Sequence, residues 1–202
     1  MKRRALTVGL TGGIGSGKSE ALRAFARLGA DTLSLDEVAH QVLRKGAAGY
    51  RPVVRVFGRD ILDARGEIDR RILGRIVFGA PRARRRLERL TQPAIARELR
   101  RRLRAHRRGL LVVEAPLLFE TGWEKDFDLT VVVAAGCGKR LRRLARRDRL
   151  PAAQLRRRMA AQLPAAEKAA RADVVLSNDG TRRGLRDKVR EYHKAFELIY
   201  GG

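Results

Sequence analysis

The segment Gly12-Gly13-Ile14-Gly15-Ser16-Gly17-Lys18-Ser19 constrains this chain more than any other feature. It fits the pattern G-x-x-x-x-G-K-[ST] in the context that gives the pattern a physical use. A short apolar run, Ala5–Leu10, precedes it and reads as a buried strand; a helical stretch from Lys18 to about Leu28 follows, with Leu22, Phe25 and Leu28 on one face. Glycines let the backbone wrap an anion with no Cβ in the way. The loop N–H groups and the start of the helix then point at phosphate. In such a loop Lys18 reaches the β- and γ-phosphates of a nucleoside triphosphate, and the Ser19 hydroxyl ligates Mg²⁺. Gly12, Gly13, Ile14, Gly15, Ser16, Gly17, Lys18, Ser19 and Glu20 are the expected nucleotide-binding residues, Ser19 is the expected metal ligand, and ATP and Mg²⁺ are the expected cofactors. Glu20 stands where many such loops carry a second hydroxyl. A carboxylate aimed inward would repel phosphate, so Glu20 is expected to point outward along the helix or to pair with an arginine.

The rest of the chain alternates strands and helices. Gly29 ends the first helix. Asp31–Leu35 reads as a second strand, and Asp36 sits where it hands over to a helix at Glu37–Arg44, as that helix's N-cap or as a reactive carboxylate. Residues 46–108 carry no convincing parallel strand. Gly58, Gly66 and Gly74 punctuate short helical pieces there, Pro81 and Pro93 each suit a first helical turn, and Leu87, Leu90, Ile95, Leu99 and Leu103 keep helical spacing. Strands return at Leu110–Val113, ending in Glu114, at Leu129–Ala134 and at Val174–Leu176. Basic helical segments run from about Lys139 to Arg147 and through 148–170, and Thr181–Tyr200 reads as a closing amphipathic helix. This pattern predicts the α/β class: a three-layer core with a parallel sheet covered on both faces, at about 1–45, 109–147 and 166–202, plus a helical insert at about 46–108 and a helical lid at about 148–165.

Composition sets limits. At 202 residues, 44% apolar and 34% charged, the chain suits one folded domain with inserts. It has no apolar run long enough for a membrane helix, and the leader-like start Met1-Lys2-Arg3-Arg4 loses its apolar stretch at Gly12-Gly13, so export is not expected. One cysteine, Cys137, makes no internal disulfide and fits a reducing cytoplasm, the expected location. The net charge of +24 attracts polyanions. Twelve arginines fall in 81–108, yet aromatics make up only 5% of the chain, too few for a single-strand stacking surface. No specific nucleic acid and no membrane are expected as partners, and a monomer is expected, with an oligomer as the alternative. His40, His106 and His193 share no metal-ligand spacing and read as surface or cap residues, and Trp123 reads as a packing residue at a turn.

The loop serves many activities, and the surroundings narrow them. No Asn-Lys-x-Asp segment is present to read guanine. Asp36 follows a strand whose carboxyl end belongs to the ligand side of a doubly wound sheet, where a carboxylate can orient a hydroxyl and accept its proton. Arg140, Arg143, Arg147 and Arg158 lie in a segment able to close over phosphates and offset transition-state charge. These features favour a small-molecule kinase, of which nucleoside, nucleotide and shikimate kinases are alternatives.

At this point the order of the motifs resembles one family, the dephospho-CoA kinases. The likeness runs through Leu10–Ser19, Leu35-Asp36-Glu37-Val38-Ala39-His40-Gln41-Val42, Phe57-Gly58, Gly66-Glu67-Ile68-Asp69-Arg70, and Pro116-Leu117-Leu118-Phe119-Glu120-Thr121-Gly122. It continues through Arg143, Arg147-Asp148, Ala161-Gln162-Leu163-Pro164 with Lys168, Ala172-Asp173 and Ser177-Asn178-Asp179-Gly180. The resemblance implies transfer of phosphate from ATP to the ribose 3′-hydroxyl of dephospho-CoA, giving CoA and ADP. It assigns Asp36 as the catalytic base and places Asn178 near adenine; Lys18 from the loop and Arg143 and Arg147 from the basic segment complete the expected catalytic residues. The chain departs from the family at Glu20, at Ser34 and Glu114, where aspartates are common, and at Gln92-Pro93, which replaces His-Pro.

Overall fold

A computed structural model describes residues 5–148 and 150–201. The leader-like start at residues 1–4 lies outside them. The strands are β1 (Ala5–Thr11), β2 (Asp31–Ser34), β3 (Gly109–Glu114), β4 (Leu129–Ala134) and β5 (Val174–Ser177). The helices are α1 (Lys18–Arg27), α2 (Leu35–Val42), α3 (Tyr50–Phe57), α4 (Arg70–Gly79), α5 (Pro81–Ala105), α6 (Cys137–Asp148), α7 (Ala152–Ala160), α8 (Ala165–Arg171) and α9 (Arg182–Gly201). Two compact units result: one runs to Ser34 and resumes at His106, and the other spans Leu35–Ala105.

The first unit holds one sheet of five parallel strands in the order β2-β3-β1-β4-β5. β3 and β4 read as unbroken apolar runs, Leu110–Val113 and Val131–Val133, because helices cover both faces and leave no strand position for water. Val8, Leu10, Val112, Val131, Val133 and Leu176 are buried in this core with Ala21 and Phe25 of α1 and Leu185, Val189 and Phe196 of α9. Thr181 caps α9 by accepting the Gly184 N–H at 3.1 Å.

His193 corrects the expectation of a surface or cap histidine. It is 5% exposed, with its ring 6.5 Å from that of Phe25. Leu185, Val189, His193 and Phe196 recur at intervals of three and four, so the helical period places His193 on the buried stripe.

The second unit is helical. Val53, Ile61, Ile68 and Leu73 form its buried centre, with Leu87 and Leu90 packed against it. Asp69 caps α4, accepting N–H groups from Arg71 and Ile72 at 2.7 and 3.2 Å. Pro81 opens α5 as expected, but Pro93 opens no second helix and lies inside a single helix of 25 residues. Proline there leaves the Arg89 carbonyl without its helical N–H. The apolar stripe Leu87, Leu90, Ala94, Ile95 and Leu99 continues through the proline, so packing on both sides keeps the axis in one piece. Asp36 is likewise not an N-cap: α2 begins one residue earlier, at Leu35, whose buried side chain anchors the turn.

Part of the arginine excess on α5 is internally paired. Glu98 accepts from Arg101 at 2.8 and 2.7 Å and from Arg102 at 2.7 Å. The hydrogen bond from Arg101 leads in holding its carboxyl down at about 2, against an ordinary 4.5. A depressed carboxyl supports the fold above its unfolded pKa and loses that support as pH falls toward the folded value. Glu98→Gln is therefore expected to cost about 1 kcal/mol at pH 7. In thermal melts across pH, the gap between variant and wild type should close between roughly pH 4.5 and 2.

Candidate active site

All five strands are parallel, so their carboxyl ends share one edge of the sheet. At that edge Thr11 leads into the loop of residues 12–17, Ser34 and Leu10 both stand in register with Glu114, and Ser177 leads into Asn178. β1 lies between β3 and β4, so successive crossovers leave it in opposite directions. The loop after β1 therefore occupies the switch point where doubly wound sheets bind ligands.

The loop needs its glycines where the structure bends it. Gly12, Gly15 and Gly17 have φ of 147°, 78° and 104°. A Cβ at Gly12 would collide with the Val133 carbonyl, and one at Gly17 with Asn178 Nδ2. The close approach at Gly17 has a use: Asn178 Nδ2 donates to the Ser16 carbonyl at 2.7 Å, while the Asn178 N–H donates to Ala134 O at 2.7 Å. Asn178, 5% exposed and expected beside adenine, thus braces the loop against the ends of β4 and β5.

Lys18 is 8% exposed, and its Nζ donates to the carbonyls of Gly12 and Gly13 at 3.0 and 3.3 Å. Those bonds fold the ammonium back across the mouth of the loop. Ser19 Oγ donates to Glu114 Oε1 at 3.1 Å, and Glu114 is 7% exposed. A hydroxyl and a carboxylate oxygen side by side are hard donors that suit Mg²⁺, which takes one or two protein oxygens and completes its shell with phosphate and water. Among the described residues no group of three or more His, Cys, Asp or Glu forms a metal cage. Glu20, counted from the sequence among the nucleotide-binding residues, has its carboxylate engaged elsewhere: it pairs with Arg23 and Arg186, each at 2.9 Å, which is the arginine pairing expected of it. The hydrogen bond from Arg23 leads in lowering its pKa.

The structure separates the arginines that sequence grouped together. Arg143 donates to the carbonyls of Ser16 at 3.3 Å and Asn178 at 3.0 Å, so its guanidinium holds the loop to the strand behind it. Arg147 and Arg158 both turn to Asp148, at 2.6 and 3.3 Å, and the Arg147 hydrogen bond leads in holding the Asp148 carboxyl below the usual range. Arg140 alone of the four lies over Gly13, where a Cβ would collide with its Nη1. The Arg140 Nε and the Ser16 hydroxyl are buried with no hydrogen-bond partner among the described residues. A cationic group with an unsatisfied donor beside a phosphate loop fits an anionic ligand.

Asp36 belongs to the other unit, Leu35–Ala105. It is exposed in the first turn of α2, and in the chain it follows the last residue of β2 by two positions. His40 stands one turn further along α2 and is bonded to Arg70; burial leads in pushing its pKa down. Two contacts carried no local signal in the sequence. Gln162 accepts the Ile14 N–H at 2.9 Å, and Lys168, fully buried, pairs with Glu120 at 2.7 Å. Both lay in recognisable stretches, but their partners are 148 and 48 residues away.

Comparison with known proteins identifies the family. The family model for dephospho-CoA kinase matches residues 6–183. A dephospho-CoA kinase of Methylococcus capsulatus is 40% identical over 194 residues, covering 96% of this chain and 98% of the relative. The crystal structure of TT1252 from Thermus thermophilus matches with a TM-score of 0.78 and 33% identity, covering 95% of this chain and 98% of that one. The dephospho-CoA kinase from Campylobacter jejuni matches with a TM-score of 0.70 and 26% identity, covering 98% of both chains. The chain belongs to the dephospho-CoA kinase family, ATP-using kinases of the final step of CoA biosynthesis.

Proposed function

We propose that this chain transfers the γ-phosphoryl group of ATP to the ribose 3′-hydroxyl of dephospho-CoA, with the loop of residues 12–19 as its nucleotide site and Asp36 as its base. The observation that carries the reading is the switch-point loop with Lys18 folded across its mouth and Ser19 bonded to Glu114. Phosphoryl transfer asks the protein mainly for positioning and charge. Lys18 and Arg140 bring positive charge to the loop, while Asn178 and Arg143 hold it from behind. Ser19 and Glu114 are the residues that would hold Mg²⁺, Glu114 through water. The ion, when bound, would neutralise charge on the β- and γ-phosphates. Asp36 accepts the proton of the acceptor hydroxyl. The enzyme works in the cytoplasm, as a monomer, without a specific nucleic-acid partner, and its charge of +24 favours capture of two anionic substrates.

A coupled ADP-release assay with Mg-ATP tests this, with dephospho-CoA, adenosine, AMP and shikimate offered as acceptors and product mass measured. Selective turnover of dephospho-CoA, with one phosphate added, is the expected result. Turnover of another acceptor but not of dephospho-CoA would overturn the acceptor assignment and leave the nucleotide site standing.

A further inference from the structure

Gln162 lies in the link between α7 and α8, yet its Oε1 accepts the N–H of Ile14 at 2.9 Å. The next residue is fixed as well: the Leu163 N–H donates to Glu120 Oε1 at 3.0 Å. The same oxygen pairs at 2.7 Å with Lys168 Nζ, which also donates to the Pro116 carbonyl at 2.8 Å. Lys168 is 0% exposed, so its ammonium has exchanged water for Glu120 and Pro116. The stretch after β3, the link after α7 and the phosphate loop are thus joined through side chains that the reaction itself does not call on.

We propose that Gln162 is a positioning residue for the nucleotide, setting the phosphate loop through the Ile14 amide, and that the Lys168–Glu120 pair acts through it by fixing residue 163. The proposal rests on the reading of residues 12–19 as the ATP site. Its chemistry explains the residue type. The Ile14 N–H belongs to the loop read as the phosphate cradle, and losing its acceptor would leave that peptide unanchored. A carboxamide takes that N–H without adding charge. A carboxylate would take it equally well but would set a negative charge beside the phosphates. Gln162 is half-buried, so replacing it leaves the core intact.

Steady-state kinetics with ATP and dephospho-CoA varied separately provide the test, on Gln162→Ala and Gln162→Glu. Gln162→Ala should raise KM for ATP about five- to tenfold, the range of one lost hydrogen bond. KM for dephospho-CoA, kcat and the melting temperature should stay close to wild type. Gln162→Glu should raise KM for ATP further, and added salt should relieve part of that excess. The double variant Glu120→Gln/Lys168→Met removes both charges together. It should also raise KM for ATP, and adding Gln162→Ala to it should cost less than in the wild type. An unchanged or lowered KM for ATP in Gln162→Ala overturns the proposal, as does an equal rise in both KM values. Where Gln162→Ala gives either of those results, Lys18→Ala tells the two failures apart: if it too leaves turnover and ATP kinetics untouched, the site reading itself has failed, and if it lowers turnover by the expected factor of roughly 10² or more, only the role of Gln162 has.

Discussion

Lys18→Ala is expected to lower turnover by roughly 10²–10³-fold or more while the protein stays folded. The size follows from where the charge acts. The transferring phosphoryl group carries its negative charge on oxygens that a preformed cation can meet without reorganisation, and the ammonium is already held at the loop by the Gly12 and Gly13 carbonyls. Alanine deletes that cation and leaves the Gly12 and Gly13 carbonyls without its N–H donors. The structural cost is smaller: the lost packing of the stem, at about 0.8 kcal/mol per buried methylene, and two hydrogen bonds that water can replace. Circular dichroism and a thermal melt report the fold, and ADP release under saturating substrates reports the chemistry. A folded variant with full activity would remove the loop from the mechanism, whatever the family.

How much of this was legible in the sequence depends on how far apart the partners lie. The phosphate loop was readable because its parts are contiguous: the strand Ala5–Thr11, the glycines and the helix from Lys18 all fall within 23 residues. The strands β3 and β4 were readable for the same reason, as unbroken apolar runs. Glu20 was readable in kind, since a carboxylate beside a phosphate loop has to find a cation, but Arg186 lies 166 residues on and could not be named in advance. Pro93 was misread because local rules favour proline in a first helical turn and do not see the apolar stripe that continues through it. His193 was misread because a histidine invites a functional or surface role, while its place in the period of α9 already put it inside. The arginines were the least legible. Arg140, Arg143, Arg147 and Arg158 look alike along the chain, and only the positions of Gly13, Ser16, Asn178 and Asp148 separate a cation over the loop from a brace behind it and from two that share one carboxylate.

Asp36→Asn is expected to lower kcat by roughly 10²-fold or more, within the range of a general base. The substitution is nearly isosteric, and Asp36 is exposed in the first turn of α2, so the fold gives up only the small gain of a negative charge at a helix start, a few tenths of a kcal/mol to about one. Asparagine can still hydrogen-bond the acceptor hydroxyl but cannot take its proton. The two contributions therefore separate in one experiment. If Asp36 removes the proton, kcat falls while KM for dephospho-CoA moves little. If it only orients the hydroxyl, asparagine preserves much of the rate, and Asp36→Ala is the variant that loses it. If it does neither, both variants turn over like wild type and the base must be sought elsewhere. The second outcome is chemically reasonable, because a loose phosphoryl-transfer transition state needs little help from a base until the bond to phosphorus is nearly formed. The ratio of the Asn and Ala rates thus measures how much of the role of Asp36 is proton transfer and how much is placement.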